Sequence, residues 1–193
     1  MSRHREFNEP EVLEKAMMAF WQQGYEDTSY DDLVKATGVS RYGLYSAFGD
    51  KKEFFLKALD YYLDMNRCVM FGSLLEKDAA LDDIHDYFGR MVENANDPNK
   101  KVGCMLCNTA IELAQYDKDV EDKIHEIFRD TKSVLKRAVK NAITNGELNK
   151  ETNANETADY LFGLMMGGAM LVRSPIERSK IKNYLKTGLS VLK

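Results

Sequence analysis

Apolar residues recur every three or four positions along most of the chain, and strict two-residue alternation is absent over any useful length. The pattern predicts an all-α protein of nine helices and no sheet. The first begins near Asn8 to Pro10, where Asn8 or Glu9 can cap it and proline suits the first turn. Its stripe is Val12, Leu13, Ala16, Met17, Phe20 and Trp21, and Gly24 stops it, with Tyr25 as a packing anchor. Thr28 and Ser29 each stand three residues ahead of an aspartate (Asp31, Asp32), an approximate capping box for a second helix that runs to Gly38. Ser40 caps a third through Phe48. Asp50 with Glu53 repeats the capping pattern for the fourth. That helix buries Phe54, Phe55, Ala58, Leu59, Tyr62, Leu63 and Met65 and continues to about Leu75.

The second half keeps the same spacing. Leu81 to Asn94 carries Ile84, Tyr87, Phe88, Met91 and Val92, and NANDPNKK breaks the pattern. Gly103 opens a helix over CMLCNTAIELAQ. Asp117 to Asn145 forms a long amphipathic helix that Gly146 terminates. Asn155 to Val172 is apolar nearly all round, and Pro175 to Leu192 is the last helix.

Composition narrows the classes. Apolar residues make up 44% and charged residues 30%, the balance of a soluble globular chain. The longest apolar run, Tyr160 to Val172, is shorter than the roughly 20 residues a membrane helix needs. The first ten residues have no apolar core for a secretory signal, and three cysteines suit a reducing cytoplasm better than a disulfide scaffold. A net charge of −4 argues against nucleic-acid binding over the whole surface but leaves room for a local basic patch. One candidate patch lies between Gly38 and Lys52, where Arg41, Lys51 and Lys52 face only Asp50. Arg3, His4 and Arg5 add a short basic arm.

A helix, a short glycine-containing turn and a second helix is helix-turn-helix geometry, in which the second helix enters the major groove. Ser40, Arg41, Tyr42 and Tyr45 then face the groove, and Lys51 can meet a phosphate beside the free N–H groups that open the fourth helix. Spacing alone equally allows a helical hairpin with solvated charges.

The order Gly24-Tyr25, Thr28-Ser29, Gly38-Val39-Ser40, Leu44-Tyr45, Phe48, Lys51 resembles the signature of the TetR family of one-component transcriptional regulators over about 45 residues. The resemblance implies a helix-turn-helix DNA-binding domain over 1–52 and a helical effector-binding and dimerisation domain over 53–193. It implies a homodimer on a near-palindromic double-stranded DNA operator, governed by a small-molecule effector. Carried over residue by residue, it makes Thr28, Tyr45 and Lys51 phosphate contacts, places Arg41 and Tyr42 nearer the bases, and leaves Leu44 and Phe48 structural. Ala47 departs from the pattern, because many members carry His or Tyr before the phenylalanine.

Tyr62, Met65, Phe88, Met91, Phe128, Met165, Met166 and Met170 are candidates to line an effector pocket, together with Cys104 and Cys107; the same residues would also serve a plain helical core. If Gly103 caps its helix, Cys104 falls in the first turn, where the helix dipole favours a thiolate, and Cys107 lies one turn on. A redox or electrophile sensor wants that arrangement; two small packed residues explain it as well. Gly163 and Gly167 give one helix a small-residue face, with Met170 beyond it, suited to a four-helix dimer interface or to packing within the chain. No catalytic constellation, metal set or cofactor motif stands out, and Cys68, His85 and His125 have no meaningful spacing. The expectation is a dimeric, ligand-responsive repressor. The alternatives are a thiol-dependent redox protein using Cys104 and Cys107, and a helical interaction module without DNA binding.

Overall fold

The computed structural model describes residues 7–96 and 102–193. The basic arm Arg3-His4-Arg5 and most of the NANDPNKK break lie outside the described residues. Nine α-helices and no strand occur among those described: α1 Glu9–Gln23, α2 Tyr30–Thr37, α3 Arg41–Phe48, α4 Lys51–Asn66, α5 Leu81–Asn96, α6 Met105–Glu112, α7 Lys118–Thr144, α8 Ala154–Arg173 and α9 Arg178–Leu189.

The predicted starts hold where short polar side chains cap them. Ser29 and Asp32 form a reciprocal capping box at α2, and Asp50 and Glu53 form another at α4. Asp117 and Asn153 cap α7 and α8 with their side-chain oxygens. Asn8 flanks α1 without a side-chain cap bond.

Two expectations need correction. The fourth helix does not run to Leu75. It ends at Asn66, widens into a π-helical turn, Arg67–Phe71, and tightens into a 3-10 turn, Gly72–Leu75. Distant side chains hold the carbonyls that this irregular stretch leaves over. Arg90 donates to Met70 O (2.9 Å) and Phe71 O (3.1 Å), and Arg137 donates to Leu74 O (3.3 Å) and Leu75 O (2.8 Å). The sixth helix starts later than expected: Cys104, not Gly103, is its N-cap.

Buried side chains gather in two clusters. One joins α1–α4 to α6 and the first half of α7, through residues such as Phe20, Leu44, Phe54, Phe55, Leu106 and Ile124. The other joins α5, the second half of α7, α8 and α9 around Phe88, Leu135, Val139, Leu161 and Leu185. α7 therefore belongs to both, and the space between the clusters is where the cavity described below lies.

Candidate nucleic-acid interface and effector cavity

The α2–α3 unit is held by a few local devices. Gly38 takes the left-handed conformation (φ 75°, ψ 5°) that most side chains avoid, and so turns the chain between the two helices. Ser40 accepts from the Gly43 N–H to start α3. Leu44 and Phe48 then point inward and are fully buried. Ser40, Arg41, Tyr42 and Tyr45 are left on the outer side of α3. Tyr42 is 79% exposed, unusual for a large aromatic side chain. Tyr45 stacks on Tyr30 at 4.1 Å, and the Tyr30 hydroxyl donates to Gly49 O at 2.9 Å. Burial pushes the Tyr30 phenol up to about 12, so it stays a donor.

Each cation of the predicted patch already has a partner. Arg41 pairs with Asp31 at 2.6 Å and lies over the Tyr30 ring. Lys51 donates to Glu26 O at 3.2 Å and sits over Tyr25. Lys52 is turned away, to Asp117 (2.8 Å) and Asp119 (2.7 Å) at the start of α7, and those hydrogen bonds raise its pKa. Thr28 is not placed as expected. Its side chain is completely buried and its hydroxyl donates to Gly24 O at 2.6 Å, so it closes the α1–α2 turn and offers nothing to a phosphate. The Lys57 ammonium donates to the carbonyls of Ala47 and Phe48, satisfying the end of α3 beside the position where the expected contact is missing.

A cavity of about 500 Å³ opens between the two clusters. Of the candidate pocket residues, Tyr62, Met91, Cys104, Cys107, Phe128 and Met166 line it. Met65, Phe88 and Met170 do not. Met65 and Met170 face solvent, and Phe88 is buried one position round α5 from Tyr87, which does line the space. Sequence reasoning missed Trp21, Met70, Phe71, Tyr87 and Phe162 as wall residues. Exposed Asp60, Asp64, Arg67 and Asp130 mark the solvent side.

Within the wall, the Tyr62 hydroxyl donates to Cys104 Sγ at 3.4 Å. The Cys107 thiol has two acceptors, Cys104 Sγ and Met166 Sδ, the latter at 3.4 Å. Hydrogen bonds from Cys107, from Tyr62 and from the N–H groups of Cys107 and Leu106 hold the Cys104 thiol well below its ordinary range, against the opposing effect of burial. The bond to Cys104 and burial raise Cys107, which keeps its proton. No group of three or more His, Cys, Asp and Glu side chains gathers to hold a metal among the described residues.

The cavity reaches α1, which packs against α2 and α4. Trp21 of α1 meets Tyr62 of α4 edge to face at 4.9 Å. At the far end of α6, the Glu112 carboxylate accepts from the backbone N–H groups of Tyr25 (3.1 Å) and Glu26 (2.8 Å). Gly24 permits that approach: its φ is 91°, and a Cβ there would lie 3.0 Å from Glu112 Oε2.

On the opposite side, α8 and α9 expose Tyr160, Gly163, Met170 and Tyr184. Gly163 has open space beside it. Gly167 instead accommodates Tyr184 of α9 within the chain, and Gly168 accommodates Met91 and Leu185. Among the described residues no helix is long and apolar enough to cross a membrane.

Residues 12–58 match the family model described as bacterial regulatory proteins, tetR family, and residues 80–183 match the tetracyclin repressor-like C-terminal domain. YezE of Bacillus subtilis, an uncharacterized HTH-type transcriptional regulator, is 32% identical over 120 residues, which span 62% of each chain. The HTH-type transcriptional repressor ComR of Escherichia coli is 26% identical over 188 residues, covering 97% of this chain and 90% of ComR. Among solved structures, a cysteine-substituted CifR, a TetR-family regulator complexed with double-stranded operator DNA, superposes with a TM-score of 0.87 at 22% identity over 99% of this chain and 100% of that one. A TetR regulator of Chloroflexus aurantiacus superposes at 0.82 with 24% identity, covering 94% and 93%.

Proposed function

This chain belongs to the TetR family of bacterial regulatory proteins, and from that premise we propose that it is a dimeric, ligand-responsive repressor acting in the cytoplasm, without catalysis of its own. The observation that carries the proposal is the outer side of α3. It presents Ser40, Arg41, Tyr42 and Tyr45 behind a turn fixed by Gly38, with Lys51 at the start of the next helix. Two such units, brought together through the exposed α8–α9 side of each chain, read two half-sites one helical turn apart.

Arg41 and Lys51 reach DNA by exchanging their present partners, Asp31 and Glu26 O, for phosphate or base. The exchange costs little, because contacts this exposed are already weakened by solvent. The cavity between the clusters is the effector site. A ligand there changes DNA affinity only as far as it binds the DNA-competent and DNA-incompetent arrangements differently. Its wall includes side chains from α1 and α4, so a ligand that displaces either helix displaces the recognition unit with it.

The test is anisotropy on a duplex recovered by genomic-fragment selection, repeated across salt concentrations. Lys51→Ala lowers the slope of log affinity against log salt by about 1 per half-site, and Tyr42→Ala narrows the gap between the selected duplex and a scrambled one. Failure to recover any duplex, or an unchanged slope and gap, rejects the assignment. Sedimentation of the full chain tests the dimer.

A further inference from the structure

Cys104 and Cys107 lie in the cavity wall, and the function proposed above gives them no task of their own. Cys104 is the N-cap of α6 in extended backbone (φ −106°, ψ 122°), and Cys107 is the third residue of the helix. A helix start gathers N–H groups without intrahelical partners around the first sulfur, and the second follows one turn on. The two sulfurs differ in access. Cys104 is partly accessible, whereas Cys107 is buried. Cys104 accepts hydrogen bonds from the Tyr62 hydroxyl and from the Cys107 thiol. An accessible sulfur that ionises readily beside a buried, protonated one is the pairing of an attacking and a resolving thiol. A carbon electrophile would use Cys104 alone; a second sulfur one helical turn on favours oxidation.

We infer that Cys104 and Cys107 form a reversible dithiol–disulfide switch in the effector cavity, oxidised by an apolar organic hydroperoxide. Its output rests on the DNA-binding function proposed above, whereas its chemistry does not. The oxidant class follows from the walls: Trp21, Phe71, Tyr87, Phe128 and Phe162 suit an apolar hydroperoxide and offer little to hydrogen peroxide. The Cys104 thiolate attacks the distal peroxide oxygen. An S–O bond forms, the O–O bond breaks, and the alkoxide takes up the proton that the thiol gave to solvent. Cys107 sulfur then attacks Cys104 sulfur. The S–S bond forms, the S–O bond breaks, and hydroxide leaves as water with the Cys107 proton. Two thiols lose two electrons and two protons, and the hydroperoxide becomes an alcohol and water.

The bond draws the sulfurs to about 2.05 Å and removes the anionic acceptor of the Tyr62 hydroxyl. α6 is only two turns long, so a change at its first turn reaches Glu112 at its last residue, and from there the backbone of Tyr25 and Glu26.

The test uses the full chain in a Cys68→Ser background with stoichiometric cumene hydroperoxide, peptide mass mapping and duplex binding in parallel. The expected result is loss of two hydrogens from the peptide holding Cys104 and Cys107. At least a tenfold loss of duplex affinity accompanies it, and dithiothreitol restores both. Cys107→Ser stops at a Cys104 sulfenic acid that dimedone traps. Because its hydrogen-bond donors lower the Cys104 thiol, oxidation stays fast at neutral pH and slows as acid protonates that sulfur. Thiols that stay reduced, a disulfide that leaves duplex affinity unchanged, or an enone that alkylates Cys104 faster than the pair oxidises would each overturn the inference. If the reduced protein binds no duplex while the disulfide still forms, the DNA-binding proposal fails and the thiol chemistry stands.

Discussion

The two buried clusters are built from different materials. The one beneath α2 and α3 is aromatic: Phe20 meets Phe54 and Phe55 edge to face, Phe48 stacks on Phe54 at 4.3 Å, and Tyr25 closes the group against Phe55. The other is largely aliphatic, with Leu135, Val139, Leu161 and Leu185 at its centre and small residues where helices approach. Flat rings at fixed angles permit few alternative packings, which suits a unit that must present α3 in one orientation. Leucines and methionines rearrange more readily, which suits a wall that must fit a guest. The lesson is that the cavity belongs to neither cluster. It lies between a stiff one and an adaptable one, and the links across it are few and nameable.

The comparison is tested most severely at its stiffest point. Phe54→Ala, at a side chain with no exposure, should cost about 3–5 kcal/mol and abolish duplex binding; Leu161→Ala should cost about 2–5 kcal/mol yet leave α3 competent. Urea melts followed by hydrogen exchange separate the two. Equal loss of protection in both clusters for either variant would show one cooperative unit and dissolve the distinction. Next in size is Glu112→Gln, which removes the charge that holds two backbone N–H groups across the divide. We expect a loss of about 1–3 kcal/mol and faster exchange at the Tyr25 and Glu26 amides; unchanged exchange there means the link carries nothing. Smallest is Met65→Ala. This exposed side chain stands outside the cavity, so stability should stay within about 0.5 kcal/mol and the response to any effector should not change. An altered response would return Met65 to the wall.

Local chemistry made the head of the molecule legible. Ser29 with Asp32, Asp50 with Glu53 and the positive φ of Gly38 each act within three residues, so the sequence shows them directly. The wall was harder to read, because periodicity says which residues share a side of a helix and not what that side meets. Tyr87 and Phe88 are buried neighbours whose rings touch, yet only Tyr87 meets the cavity. Trp21 was legible as part of the α1 stripe, but nothing nearby told that α1 borders the cavity. The π-helical turn was hidden for the same reason, since Arg90 and Arg137 hold its carbonyls from far along the chain. Glu112 gave no sign at all: its partners lie 86 and 87 residues away.

Trp21 is the chain's single tryptophan. It borders the cavity, touches Tyr62, and its indole N–H is buried without an acceptor among the described residues. The protein therefore carries one built-in optical probe, placed where the recognition unit and the guest space meet. Its emission should shift with the polarity of whatever fills that space and with any rotation of α1 against α4. Duplex and guest can then be titrated against each other without a label, and the spectrum of the doubly bound state compared with the two singly bound ones.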